Sequence, residues 1–232
     1  GGPDIANPAS YRPNRLNFAD GSSIHEIREV RGNARYRLTV ENPIFLKAGF
    51  RLREEIAGDI SSDRRSNFIG TNSAQLPTGP TIVTYGDRKT GLKIPAWNAN
   101  AISVGRAPVN AALWRDDVYF AESQKFIGTR EVTETVTAGY LMTQGMWGRT
   151  GFIAGVRGEK TEDDSWGWVR ARVGSTAAQQ AADPVGSAQR DYAGNRRDLS
   201  GSYTKSLPSV HVTQNLTSQL KARLSWSTGF GR

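Results

Sequence analysis

Apolar and polar side chains alternate without a fault along residues 220–230. This period of two is typical of a β-strand with one apolar face and one polar face. Just upstream, Val210 and Val212 alternate with polar residues, and residues 215–218 form a short polar connection. The pattern therefore predicts an antiparallel hairpin at this end of the chain. The apolar or neutral positions of its second strand are Leu220, Ala222, Leu224, Trp226, Thr228 and Phe230.

The same alternation predicts five earlier strands, at residues 31–40, 46–53, 131–142, 152–159 and 199–213. In the third of them one acidic residue, Glu134, falls on the predicted apolar face. Ile24 and Ile27 lose the phase of the first strand, which predicts a bulge near Arg28. The predicted apolar face of the third strand comprises Val132, Val136, Ala138, Tyr140 and Met142.

Short and long connections alternate between these strands. Residues 41–44, 143–148 and 215–218 form short connections. Residues 60–129, which are rich in Gly, Pro and Asn, and residues 165–198, which are polar, form long ones. Transmembrane β-barrels have short turns on one side of the membrane and long loops on the other. The pattern predicts an all-β fold: an antiparallel up-and-down sheet that is part of a transmembrane β-barrel wall with two long extracellular loops. A short helix near residues 109–114 and a helical turn in the second loop are the helical elements expected.

Periodicity alone leaves two environments open for the apolar face, because a soluble β-sandwich alternates in the same way. Six strands are too few to close around an open lumen, so the predicted segment has two unpaired edges. We expect both faces of such an open segment to be equally exposed in this chain by itself.

The amino-acid composition argues against several classes of function. The chain has no Cys, which excludes disulfides and thiolate chemistry, and its two histidines are far apart in sequence. No apolar run approaches the roughly 20 residues of a membrane-spanning helix. The net charge of +8 indicates an anionic partner or a solvated basic surface, but the cations are not clustered, so nucleic acid is not expected. We expect no cofactor, no metal site and no enzymatic activity.

Four motifs occur in an informative order. They are Thr-Ala-Gly-Tyr-Leu-Met at residues 137–142, Ala-Gly-Val-Arg-Gly-Glu-Lys-Thr at 154–161, Leu-Pro-Ser at 207–209, and a strand ending Ser-Thr-Gly-Phe-Gly-Arg at 227–232. This series resembles the C-terminal half of the barrel of TonB-dependent outer-membrane receptors. Residues 47–51 resemble an earlier strand of the same barrels, so the resemblance covers residues 34–232 without the long loops.

The resemblance implies energy-coupled uptake across the bacterial outer membrane of a nutrient such as a ferric siderophore, a cobalamin or a glycan. The implied partners are outer-membrane lipid, a plug domain of the same full-length chain, the inner-membrane TonB complex and a small ligand. Residues 1–232 contain no plug domain and no terminal aromatic strand, so we expect a partial barrel domain truncated at both ends. The alternative is a soluble, basic β-sandwich that binds polyanions.

Two groups of residues are candidates for ligand binding. Cations on the polar strand faces would steer an anionic ligand, or would pair with carboxylates such as Glu159. Aromatic residues in the first long loop would stack on a ligand, or would pack the loop on itself. Trp147, at a short turn, is predicted to be an interfacial aromatic residue. The candidates are Arg35, Arg37, Arg51, Arg53, Arg157, Trp97, Trp114, Tyr119 and Phe120.

Overall fold

The computed structural model describes residues 4, 7–76, 82–86 and 93–231. The strands are β1 Arg15–Phe18, β2 Gly21–Arg37, β3 Ile44–Ser61, β4 Arg64–Phe68, β5 Ile82–Gly86, β6 Lys93–Trp97, β7 Ser103–Val104, β8 Ala107–Pro108, β9 Trp114–Asp116, β10 Arg130–Trp147, β11 Thr150–Trp168, β12 Arg196–Asn215 and β13 Lys221–Ser227. The α-helices are α1 Ala99–Ile102, α2 Val118–Ile127, α3 Ala177–Ala182 and α4 Pro184–Tyr192, and 3₁₀ turns occupy Pro8–Ser10, Ser73–Gln75 and Ala111–Leu113.

The chain divides into two compact units. One, which we call the sheet unit, comprises residues 23–58, 131–166 and 198–232. The other, the helix-containing unit, comprises residues 1–22, 59–130 and 167–197. No helix in the described part of the chain is long and apolar enough to cross a membrane.

Six long strands form one antiparallel sheet in the order β13-β12-β11-β10-β3-β2. Strands that follow one another in this set along the chain are neighbours in space, which confirms the predicted up-and-down topology. Within the described residues the sheet is open, with β2 and β13 at its edges. In the last hairpin Val210 pairs with Trp226, and Val212 pairs with Leu224.

The strands extend further than their alternation predicted, because hydrophobicity patterns fade where both faces are polar. The short connection expected at residues 143–148 is a two-residue turn, since β10 continues to Trp147 and only Gly148 and Arg149 connect it to β11. Gly148 has φ of +58°, a conformation that glycine adopts without steric cost. Strand β2 runs from Gly21 to Arg37 through the position of the bulge predicted near Arg28, and that bulge stays a prediction.

Side chains of neighbouring strands that lie close to glycines show which residues share one face of the sheet. A Cβ atom at Gly49 of β3 would lie 2.6 Å from Cε1 of Tyr140 on β10, and one at Gly155 of β11 would lie 2.6 Å from Cβ of Met142. Gly151, also on β11, approaches the side chain of Thr213. Alternation then assigns Arg51 and Arg157 to this same side. We call it the charged face; it carries Asn33, Arg35, Gly49, Arg51, Tyr140, Gly155, Arg157, Glu159 and Thr213.

The opposite side is the apolar face. A Cβ atom at Gly32 of β2 would lie 2.6 Å from Cε1 of Phe50 on β3, so these two strands share this face as well. Its large side chains are exposed, and they include Tyr36, Leu46, Phe50, Leu52, Leu141, Val210, Leu224 and Trp226.

Strand β10 departs from the predicted orientation. Val136 and Ala138 are buried, and Tyr140 lies on the charged face, whereas Leu141 is exposed on the apolar face. The residues predicted to form the apolar face of this strand therefore point the other way. Periodicity separates two sides of a strand but does not say which side of the sheet each one joins. Glu134, which alternates with Val136, leaves the apolar face as a result.

The helix-containing unit corrects the prediction of two long irregular loops. Residues 60–129 and 165–198 supply its α-helices and, apart from β1, the strands of its small sheets, so the all-β class becomes mostly β with helices. Strands β1, β4 and β9 form an antiparallel sheet, and a hydrophobic core covers it. The helix expected near residues 109–114 is only a 3₁₀ turn. Residues 77–81 and 87–92 of the first predicted loop lie outside the described residues. The core comprises Leu16, Phe68, Leu76, Ile102 and Trp114.

Candidate functional site

The predicted cations of β3 are paired with acidic residues on the charged face. The Arg51 guanidinium donates to Glu29 of β2 through Nη2, at 2.6 Å, and through Nε, at 3.1 Å. Arg53 lies 2.5 Å from Glu55, whose other oxygen lies 2.5 Å from Nε2 of His25. The Arg51–Glu29 and His25–Glu55 pairs join β3 to β2, whereas the Arg53–Glu55 pair lies within β3. Their charges are therefore largely compensated within the sheet.

Arg157 has the carboxylate partner that the sequence suggested. Its Nη2 donates to Glu159 at 2.8 Å, two residues along the same strand face. Glu159 is buried, so desolvation strengthens this pair relative to an exposed one. Thr161, the next residue on this face, is fully buried.

Arg35 and Arg37, which lie at the end of β2 that leads to β3, have no carboxylate partner among the described residues. Arg35 stacks over the ring of Phe45 at 3.7 Å from its centroid, a cation–π contact. Arg37 ends β2 and is exposed, and no carboxylate among the described residues pairs with it. The charged face therefore has compensated charge around Arg51 and Arg53, and uncompensated positive charge at Arg35 and Arg37. Ligand binding by these five arginines stays a prediction.

The tryptophans predicted to stack on a ligand pack within the helix-containing unit. Trp114 is in the hydrophobic core, in edge-to-face contact with Phe68 at 5.2 Å between ring centroids. Trp97 packs against that core and makes an edge contact with Tyr11 at 5.7 Å. The indole nitrogens of both are buried, so neither N–H is presented to solvent. Both rings thus contribute to the packing of their unit, and ligand stacking by them stays a prediction.

Tyr119 belongs to a buried polar cluster that joins α2 to α4. Its hydroxyl donates to Asp191 at 2.5 Å. Asp191 also accepts from the backbone and hydroxyl of Ser175, both at 2.7 Å, and from Arg170 Nε at 3.0 Å. The carboxylate is almost fully buried, and each of its oxygens has at least two donors.

The cluster shifts the ionisation of its members. Burial alone would raise the pKa of Asp191, but the hydrogen bonds from Tyr119 and Ser175 outweigh it and lower that pKa to about 2. Burial, together with the bond to the carboxylate, raises the pKa of the Tyr119 hydroxyl. A carboxylate this fully bonded is a structural anchor, since its lone pairs are occupied.

Phe120 lies beside the same helix start. The guanidinium of Arg65 stands 4.1 Å from its ring centroid and donates to Asp117 at 2.8 Å through Nε. Asp117 caps α2, because its other oxygen accepts from the backbone N–H of Phe120 at 2.9 Å. The ring is therefore already covered by a cation of its own unit.

Neither histidine has a metal-binding environment in the described residues, where no group of three potential ligands converges. His25 pairs with Glu55, and His211 lies opposite Ser225 in the last hairpin.

Sequence reasoning missed the cluster around Asp191. The local signals were present: Thr176 and Gln179 form a capping box at α3, and Asp183 caps α4, whose first residue is a proline. These signals predict helix starts, but they do not predict that Asp191 meets Tyr119 from a segment 72 residues away.

Comparisons with known proteins add no identification. No protein-family model, no curated protein and no solved structure gives a significant match to the chain.

Proposed function

We propose that the sheet unit is a segment of the barrel wall of a TonB-dependent outer-membrane receptor. The full-length protein would then take up a small nutrient, such as a ferric siderophore, a cobalamin or a glycan, by energy-coupled transport. The apolar face would contact outer-membrane lipid, and the charged face would line the lumen around a plug domain. The inner-membrane TonB complex would supply the energy.

One observation carries this proposal: Phe50 and Leu52 of β3 are more exposed than the two arginines that alternate with them. Phe50 and Leu52 are 50% and 48% exposed, whereas the side chains of Arg51 and Arg53 are 40% and 23% exposed. A soluble sheet buries its apolar face and solvates the other. The order here is reversed, which supports lipid as the environment of the apolar face.

The last hairpin extends the same surface. Leu224 and Trp226 are 75% and 56% exposed, and each lies directly opposite a valine of β12. Contiguous apolar patches of more than a few hundred Å² are rare on soluble monomers and mark interaction or membrane surfaces.

The apolar face carries no charge along the middle of β3. Leu46 to Leu52 extend about 20 Å along the strand at roughly 3.3 Å per residue, which a barrel tilt of about 40° would project to about 15 Å of the apolar band of about 25 Å on outer-membrane barrels. The band ends where Glu54 meets Arg28 at 3.2 Å on the same face. The reorientation of β10 removes Glu134 from this band, so the acidic exception in the sequence pattern disappears.

A pair of matched substitutions in β13 tests the proposal in the full-length receptor. Leu224→Arg puts a cation on the apolar face, where a charge at the lipid midplane costs about 2–4 kcal/mol, and should prevent assembly in the outer membrane. Ser225→Arg adds the same side chain to the neighbouring position on the charged face and should assemble normally. Outer-membrane fractionation with heat-modifiable mobility measures both. Equal assembly, or equal loss, of the two variants would contradict the proposal.

The soluble, basic β-sandwich remains the second candidate because of the net charge of +8. The two candidates differ in the expected solubility of the isolated chain. A β-sandwich should be a stable monomer in water and should bind a polyanion such as heparin. The barrel-wall proposal instead expects the chain to aggregate without detergent.

A further inference from the structure

The helix-containing unit has a cleft of about 190 Å³ beside the small three-stranded sheet. Arg64 of β4 lies on one wall, directly opposite Phe18 of β1 in the strand register. Val118 and Ala121 of α2 and Pro108 supply apolar surface. The cleft thus combines one cationic wall with a small apolar recess.

Charge in the cleft is compensated at two of its three arginines. Arg65 pairs with Asp117 at 2.7 Å, and Arg106 pairs with Asp20. Both oxygens of Asp117 are occupied, one by Arg65 and one by the start of α2. These two arginines are therefore held by acidic groups of the same unit.

Arg64 is the exception. Its Nη2 donates to the carbonyl oxygen of Arg106 at 3.0 Å, and its guanidinium stands 5.5 Å from the ring centroid of Phe18. No carboxylate among the described residues pairs with it, and its Nε and Nη1 groups have no acceptor there. A guanidinium that keeps two donors free at the wall of a cleft is prepared for an external acceptor.

The backbone next to Arg64 is specially shaped. Gly105 and Arg106 both have positive φ, +55° and +72°. Arg106 is the one described residue other than glycine with this conformation, which is unfavourable for a long side chain. The turn directs the Arg106 carbonyl at Arg64. Positive φ at both central residues is the geometry of a two-residue hairpin turn, here between β7 and β8.

We propose that this cleft binds a small monocarboxylate, or the carboxylate group of a larger ligand, through the free donors of Arg64. The planar fork of a guanidinium matches a carboxylate with two parallel hydrogen bonds. The aliphatic part of the ligand lies against Phe18, Pro108 and Val118. The volume is below the roughly 300–1,000 Å³ of drug-sized sites, so the group bound is small.

Acidic residues in the cleft set the charge of the ligand. Asp116, opposite Ser66 in the register, accepts a hydrogen bond from the Ser66 hydroxyl at 2.5 Å and places a carboxylate at the wall. A dianion such as phosphate would be repelled by Asp116 more strongly than a monocarboxylate. This site goes beyond the transport function proposed above and does not depend on it.

The test uses the full chain at low ionic strength, in detergent if it needs it, with isobutyrate as probe and ligand-observed NMR as the measurement. Arg64→Gln should weaken isobutyrate binding by at least about tenfold, because charge-assisted hydrogen bonds are lost. Arg115→Gln, on neighbouring β9 but outside the cleft, should bind like the parent protein. Isobutyramide, the neutral isostere, should not bind.

Three results would overturn the proposal. These are equal binding by Arg64→Gln and the parent protein, equal binding of isobutyramide and isobutyrate, or tighter binding of inorganic phosphate. A far-ultraviolet circular dichroism spectrum like that of the parent shows that Arg64→Gln folds, and Arg64→Lys, which keeps the charge without the fork, should bind at an intermediate level. Membrane assembly of Arg64→Gln is expected to be normal, so failure here is distinct from failure of the barrel-wall proposal.

Discussion

The hydroxyl of Tyr140 donates to the side-chain oxygen of Asn33 at 2.8 Å, although β3 lies between their two strands. The aromatic ring reaches across β3 at Gly49, where a Cβ atom would meet it at 2.6 Å. The bond thus joins three strands on the charged face, and it requires the middle strand to have no side chain at that point.

Gly49→Ala should destabilise the sheet. The added methyl group would also lie 2.7 Å from the backbone oxygen of Gly32, which cannot move as a side chain can. We expect a loss of about 1–3 kcal/mol, as for other overpacked sites. Urea unfolding in detergent, followed by tryptophan fluorescence, measures the change.

Gly139→Ala is the matched control in β10. A Cβ atom there would meet only the Gly49 oxygen, at an ordinary 3.8 Å. Its effect on the free energy of unfolding should stay within about 0.5 kcal/mol. Equal losses for the two variants would show that the contact of Tyr140 with Gly49 is not the cause.

Asp191→Ala should destabilise the helix-containing unit by about 2–4 kcal/mol, because the Tyr119 hydroxyl and the backbone and hydroxyl of Ser175 lose their buried acceptor. Asp183→Ala, at the other end of α4, removes an exposed cap and should cost only about 1 kcal/mol. Hydrogen exchange of the α2 and α4 amides distinguishes the two. Similar exchange in both variants would contradict the anchoring role of Asp191.

We expect the ionisation of Asp191 to make the free energy of unfolding depend on pH. Its pKa is about 2 in the folded protein, below the ordinary value of 3.8, so the ionised form is favoured by folding. Its contribution, about 2 kcal/mol, should be complete above roughly pH 4 and should disappear as the pH falls through about 2. The stability difference between the parent and Asp191→Ala should shrink over that interval. A difference that stays constant from pH 5 to pH 2 would rule out this linkage.

Trp114→Ala separates the structural role from ligand stacking. We expect a loss of about 3–5 kcal/mol in the free energy of unfolding, because a large core ring is removed. The exposed Val104 of the same unit is the control, and Val104→Ala should change stability by less than about 0.5 kcal/mol. A Trp114→Ala variant with parent-like stability would contradict its place in the core.

The sheet illustrates how far residue patterns reach. Alternation predicted six strands and their order, and it correctly assigned Phe50 and Leu224 to one face and Arg51 to the other. It failed for β10, where Val136 and Ala138 are as regularly spaced as in the other strands but point to the charged face. Which face of a sheet a strand presents depends on its register with its neighbours, and that register is set by contacts such as Tyr140 with Gly49.

The candidate site was predicted less completely. The acidic partner of Arg157 follows from sequence spacing, because Glu159 is two residues further along the same strand face. The partners of Arg51, Tyr119 and Phe120 come from distant segments, so no local pattern contains them. Gly and Pro residues made the long connections look irregular, although Trp114 and Phe68 give them a core.

The amino-acid sequence by itself determined that the strands are two-faced, that short and long connections alternate, and that arginines share one side of most strands, because these are local and periodic properties. Only the tertiary structure decided that Phe50 and Leu52 are exposed, that the apolar residues of β10 lie on the charged face, and that Asp191 and Arg64 differ in their hydrogen bonding. Each carboxylate oxygen of Asp191 accepts at least two hydrogen bonds, whereas Nε and Nη1 of Arg64 have no acceptor among the described residues. Burial and partnership depend on which distant segments meet, and no property of a single segment specifies that.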